Sequence, residues 1–155
     1  MMGAGKSTVG RNLAKLLNYK FFDTDQLIEK QENRTIEAIF KENEESYFRN
    51  IERDIINQFE NKKCVYSTGG GLPIYNNNIY KLKDIGQVIY LKTSIGELLN
   101  NRINNNLPRP MFQDAISFEN LLKQREPIYC EADFVVTTDS KTPEKIASEI
   151  SLLIE

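Results

Sequence analysis

The chain reads Met1-Met2-Gly3-Ala4-Gly5-Lys6-Ser7-Thr8 and then turns to a helical pattern, which matches the second half of a G-x-x-x-x-G-K-[ST] phosphate loop. In such a loop the backbone N–H groups and a helix N-terminus cradle phosphates, so Gly3, Ala4, Gly5 and Thr8 are candidate nucleotide contacts. Lys6 would reach the β- and γ-phosphates of ATP, and Ser7 a Mg2+ ion. The alternative is a glycine-rich helix cap. The 155 residues include no histidine, which removes Ser-His-Asp, Cys-His and histidine-metal chemistry at once. Catalysis then rests on Lys, Arg, Asp, Glu and backbone groups.

Further along, Asp23 and Asp25 stand two apart at the carboxyl end of an expected strand, so one can turn toward a metal and the other toward an acceptor hydroxyl. A strand-to-helix cap is the competing reading of Asp25. Arg49 and Glu52 share a helix face, as a surface ion pair or as an arginine held to grip a carboxylate beside the aromatic Phe40 and Phe48. Gly69, Gly70 and Gly71 follow an expected strand and let backbone approach a ligand, or else form a plain turn. Arg109 lies between Pro108 and Pro110, and a cation on a closing lid can clamp a transferring phosphate while excluding water.

Taken in order, Phe22-Asp23-Thr24-Asp25, Phe48-Arg49-Asn50-Ile51-Glu52, Ser67-Thr68-Gly69-Gly70-Gly71, Arg109-Pro110-Met111 and Arg125-Glu126-Pro127-Ile128-Tyr129 resemble five motifs of shikimate kinases. The resemblance covers nearly the whole chain. It implies that Asp23 helps hold Mg2+ through water, and that Asp25 contacts the hydroxyl to be phosphorylated as an orienter and base. It assigns Arg49, Arg125 and the three glycines to a carboxylated ring, and Arg102 to the adenine side. Met111-Phe112 replaces the usual Leu-Leu of the lid, and Thr138-Asp139-Ser140 reads equally as an adenine-side loop or a helix cap. The activity implied is transfer of the γ-phosphoryl of Mg·ATP to the 3-hydroxyl of shikimate. The rival readings are another small-acid kinase, such as a gluconate kinase, and an inactive nucleotide-binding remnant that serves as an interaction module.

The elements that must position these groups alternate. Short β-branched or aromatic runs at Lys20–Asp23, Cys64–Ser67, Gln87–Lys92 and Phe134–Thr137 are separated by segments of helical period, which predicts an α/β fold with a parallel sheet. Val9, Leu13, Leu16 and Leu17 predict one inward face, Phe48, Ile51, Ile55 and Phe59 a second, and Ile146, Ile150 and Leu153 a third after the Thr142–Pro143 cap. Asn100–Pro110, with five asparagines and two prolines, reads as a loop, within a lid over about residues 102–114. Residues 25–60 are expected to form the substrate-binding helical region of one P-loop kinase domain, residues 1–155.

The resemblance gives a three-layer P-loop fold with sheet order 2-3-1-4-5, of which this chain supplies strands two to five. That leads to the expectation that the natural protein begins about ten residues before Met1, since a parallel sheet is buried on both faces and its middle strand is hard to omit. Twenty Lys and Arg against 22 Asp and Glu leave a net charge of −2, unlike a general nucleic-acid binder. No run approaches the ~20 apolar residues of a membrane span, and no signal peptide is evident, so a cytoplasmic location is expected; a monomer is expected as well. Cys64 and Cys130, widely spaced, are expected to be reduced packing residues.

Overall fold

The computed structural model describes residues 1–60, 62–104 and 115–154, with the side chains of 102–104 excepted. Four short parallel strands alternate with eight α-helices among these residues, as the α/β reading expects: α1 (Lys6–Leu17), β1 (Lys20–Asp23), α2 (Thr24–Glu32), α3 (Ile36–Glu42), α4 (Glu45–Ile56), β2 (Cys64–Ser67), α5 (Asn78–Ile85), β3 (Ile89–Lys92), α6 (Ile95–Asn104), α7 (Ala115–Tyr129), β4 (Phe134–Thr137) and α8 (Pro143–Leu153). A one-turn 3-10 helix, Tyr75–Asn77, precedes α5.

The strands pair as two parallel ribbons. β1 runs beside β2 with Asp23 opposite Ser67, and β3 runs beside β4 with Lys92 opposite Thr137. Among the described residues they form two separate two-stranded sheets, β1–β2 and β3–β4, and not one continuous sheet. Between β2 and β3 lies a cavity of about 500 Å3 with apolar walls that include Val9, Leu13, Val65, Leu82, Tyr90 and Ile150. The main core joins α1, α6, α7 and α8 to β3 and β4 through Leu13, Leu98, Phe118, Val136 and Ile150. A second cluster, Ile28, Ile39, Phe48, Ile51 and Ile55, knits α2, α3 and α4 into the helical region expected over residues 25–60.

Several sequence expectations need correction. β3 starts at Ile89, because the Val88 N–H is taken by Asp133 Oδ2 at 2.8 Å instead of by a strand partner. α1 buries Val9, Gly10, Leu13 and Ala14 and leaves Leu16 55% exposed, so the inward stripe is narrower than the four leucine and valine positions suggested. Leu153, 43% exposed, lies past the buried face of α8, where Ser151 takes the inward position. Asn100–Asn104 is helical, held by buried Leu98 and by Asn101, whose Nδ2 donates to the Gly3 carbonyl at 3.0 Å. Phe59 falls outside α4 and stacks on Tyr66, ring centroids 3.9 Å apart. Cys130 is exposed and so is no packing residue, whereas Cys64 is half-buried, and neither is in a disulfide.

Candidate active site

The start of α1 has the backbone of an anion cradle. Gly3 and Gly5 adopt φ of 84° and 74°, a left-handed conformation that glycine enters without a Cβ penalty. Gly5 is the N-cap of α1 and supplies no side-chain acceptor, so the first-turn N–H groups have no cap from it. Ala4 is buried, Thr8 is exposed, and Lys6 Nζ donates to the Met1 carbonyl at 2.6 Å.

This cradle is joined to β1 and β2 by oxygens. Ser7 Oγ donates to Asp23 Oδ2 at 2.6 Å and lies 3.3 Å from Ser67 Oγ. Asp23 Oδ1 accepts from the Asp25 N–H at 3.1 Å, which makes Asp23, not Asp25, the cap of α2. A hydroxyl and a carboxylate at this spacing suit Mg2+, which prefers hard oxygen ligands and needs only one or two from protein when phosphates supply others. Among the described residues, no cluster of three His, Cys, Asp or Glu could hold a metal by itself.

The three glycines after β2 bring Asp25, Arg125 and Arg49 to one turn. A Cβ on Gly69 would sit 2.8 Å from Asp25 Oδ1, one on Gly70 3.7 Å from Arg125 Nη1, and one on Gly71 2.9 Å from Arg49 Cζ. Each glycine therefore faces a different charged group, and side chains there would fill the space between them. Two neighbours fix the turn: Thr24 Oγ1 accepts from the Gly69 N–H at 2.9 Å, and Tyr129 Oη donates to the Gly70 carbonyl at 2.7 Å.

Arg49 is deeply interlocked. Its Nη1 donates to Glu52 Oε2 at 2.6 Å, and its Nε and Nη2 both donate to Glu45 Oε1 at 3.0 and 2.6 Å. Its Cζ lies 3.8 Å from the centroid of the Tyr75 ring and 5.3 Å from that of Phe48. The expected Arg49–Glu52 pair is thus buried rather than superficial, and its main aromatic wall is Tyr75. Phe40 meets Phe48 at 4.6 Å in the helical core. Burial pushes the Glu52 carboxyl up to about 7 against the opposing pull of Arg49, with the nearby Asp25 charge adding to the rise.

The structure thus gathers Asp25, Arg49, Arg125 and Gly69–Gly71 on one side, and Gly3–Lys6, Ser7 and Asp23 on the other, linked through the Asp23–Asp25 contact. Arg102 falls within α6, but its side chain and all of Arg109 lie outside the described residues, as does most of the expected lid. Asp139 Oδ1 accepts from the Ser94 N–H, and the cap of α8 is Thr142. The sequence reading missed Glu45, Tyr75 and Thr24 and gave Tyr129 no role. Glu45 is one helical turn before Arg49 and Tyr129 one turn after Arg125, a spacing that could have found both. Nothing local to Tyr75 points to Arg49.

The family model for shikimate kinase matches residues 2–155. The chain belongs to the shikimate kinase family. It is 42% identical over 151 residues to the shikimate kinase of Persephonella marina, covering 96% of this chain and 92% of that protein. With a Clostridium botulinum shikimate kinase it shares 45% over 137 residues, 86% of this chain and 81% of the relative. Its fold matches that of the Acinetobacter baumannii shikimate kinase in complex with shikimate, with a TM-score of 0.91, 36% identity and coverage of 99% of this chain and 88% of that one. The Bacteroides thetaiotaomicron shikimate kinase superposes with a TM-score of 0.89 at 28% identity, over 99% of this chain and 93% of that one. The chain therefore has the P-loop α/β fold of a kinase family. No helix among the described residues is long and apolar enough to cross a membrane.

Proposed function

We propose that this chain transfers the γ-phosphoryl group of ATP to the 3-hydroxyl of shikimate, giving shikimate 3-phosphate and ADP. The observation that carries the reading is the glycine triplet set against Asp25, Arg125 and Arg49. It brings two guanidinium groups and a carboxylate to one glycine turn, a set that can take the carboxylate and a hydroxyl of a small ring. The relative whose structure contains shikimate shares this fold.

In this reading the α1 N-terminus, Gly3–Gly5 and Lys6 bind the β- and γ-phosphates and neutralise charge as it develops. Ser7, and Asp23 through water, hold Mg2+, which draws charge from the phosphate oxygens when bound. Asp25 orients the acceptor hydroxyl and takes its proton as the new O–P bond forms and the bond to ADP breaks. Phosphoryl transfer asks mainly for positioning and charge neutralisation, which fits a site without histidine. Arg49 and Arg125 take the ring carboxylate. Arg102 serves the adenine side, and Arg109 clamps the transferring phosphate from a lid over about residues 102–114. A cytoplasmic monomer with no nucleic-acid partner completes the reading.

Coupled detection of ADP tests it. The expected result is release that depends on shikimate and is stoichiometric with a phosphorylated product. Equal release with gluconate, or ATP turnover indifferent to any acceptor, would overturn it.

A further inference from the structure

The proposed reading leaves unexplained what keeps Arg49 in place. An arginine side chain has several free torsions, and ordering it costs rotamer freedom unless neighbours have already done so. Here three groups converge on one guanidinium. Glu45 Oε1 accepts from both Nε and Nη2, closing the side edge of the fork, and Glu52 accepts from Nη1. These contacts leave one N–H on each of Nη1 and Nη2 with which the guanidinium can meet a carboxylate.

Tyr75 binds the arrangement together. Its ring lies 3.8 Å from Arg49 Cζ, and its Oη donates at 2.7 Å to the same Glu45 oxygen that holds the arginine. Tyr75 is itself tied to the glycine turn, since its N–H and that of Ile74 donate to the Gly71 carbonyl at 3.3 and 2.9 Å. The next two residues, Asn76 and Asn77, have left-handed φ of 54° and 55°, a conformation asparagine tolerates better than most residues and one that ends the turn where the ring is placed. The hydroxyl contact, led by Tyr75 and followed by Arg49, also holds the Glu45 carboxyl below its ordinary range, so the acid that grips the side edge stays ionised.

We propose that Tyr75, acting with Glu45, is a positioning residue that fixes the plane of the Arg49 guanidinium and so sets the affinity of the site for a carboxylated acceptor. The inference rests on the assignment of Arg49 to the carboxylate. Tyr75 does not touch the reacting atoms. It turns a flexible cation into a preorganised fork, so its loss appears in acceptor binding and not in the phosphoryl step.

The test is steady-state kinetics on the full chain for the parent, Tyr75→Leu, Tyr75→Phe, Arg49→Lys and the double variant Arg49→Lys/Tyr75→Leu, with thermal melts of each. Tyr75→Leu should raise KM for shikimate by about tenfold while kcat and KM for ATP stay within about twofold. Tyr75→Phe keeps the ring and loses only the bond to Glu45, so a rise of roughly threefold is expected. In the Arg49→Lys background the leucine substitution should add less than about twofold, because a lysine offers no planar fork to align. With the carboxamide of shikimate, parent and Tyr75→Leu should have similar KM. If Arg49→Lys raises KM for shikimate and Tyr75→Leu does not, the positioning role is wrong and the carboxylate assignment stands. If Arg49→Lys changes nothing, the carboxylate lies elsewhere and both fall. Should Tyr75→Leu fail to melt cooperatively, Tyr75→Phe decides, and an unchanged KM overturns the proposal.

Discussion

The acceptor and phosphate sides of the proposed site are built differently. On the acceptor side the geometry is carried by side chains that hold one another: Arg49 between Glu45, Glu52 and Tyr75, and Tyr129 on the Gly70 carbonyl. On the phosphate side it is carried by backbone, with two left-handed glycines opening a helix beside the apolar cavity between β2 and β3. A fork for a planar carboxylate has to be oriented before the ligand arrives, whereas a phosphate with several oxygens can be met by N–H groups that the helix already points outward. The acceptor end should therefore fail through KM when a side chain changes, and the phosphate end through turnover or sheet integrity.

The sharpest way to break that contrast is Lys6→Ala. It should lower shikimate-dependent ADP formation by about a thousandfold, since it removes charge neutralisation in the transition state, and leave the melting temperature nearly unchanged. Residual activity within about tenfold of the parent would remove Lys6 from the catalytic role. Gly71→Ala comes next. Its methyl would collide with the Arg49 guanidinium, so KM for shikimate should rise by roughly tenfold or more, with an overpacking cost of about 1–3 kcal/mol in denaturant melts. An unchanged KM would mean that Gly71 and Arg49 do not share the acceptor site.

These two positions also show what the sequence could and could not disclose. Lys6 and Gly71 stand inside contiguous motifs, and motif spacing survives as geometry because a loop feeding a helix, or a turn leaving a strand, leaves the backbone little choice. The same holds for Asp23 and Asp25, although which of the two caps α2 depended on whether Asp23 Oδ1 or the Asp25 carboxylate reached the helix N–H. Tyr75 was not legible, because it meets Arg49 only after the glycine turn folds back on α4. Leu16 and Leu153 misled because an apolar residue at the right period can still lie one step round the helix from the core. The asparagine run misled in a different way, since Leu98 and the Asn101 bond to Gly3 outweigh a weak helix propensity.

On the phosphate side, the cavity offers a stability test. Appending a short apolar strand that ends in Gly-x before Met1, so that it can lie between β2 and β3, should raise the melting temperature by about 5 °C or more. A neutral or negative shift would show that the two ribbons gain nothing from a strand between them. The smallest effect expected is a pH dependence at the acceptor end. Burial raises the Glu52 carboxyl from its ordinary 4.5 to about 7, so the folded state binds that proton more tightly than the unfolded chain does. The stability contributed is full below 4.5 and is lost as pH rises through 7. The melting temperature of the parent relative to Glu52→Gln should therefore fall between those two values, and a difference that rises with pH would reverse the assignment.

The account stands most directly on where the acceptor binds, so the decisive measurement is a crystal structure of the full chain with shikimate. The ring carboxylate is predicted to span Arg49 and Arg125, the ring to lie over Gly69–Gly71, and the 3-hydroxyl to hydrogen-bond Asp25, with Glu45 and Tyr75 still holding Arg49. Shikimate bound with its carboxylate away from both arginines, or with its 3-hydroxyl remote from Asp25, would contradict the account.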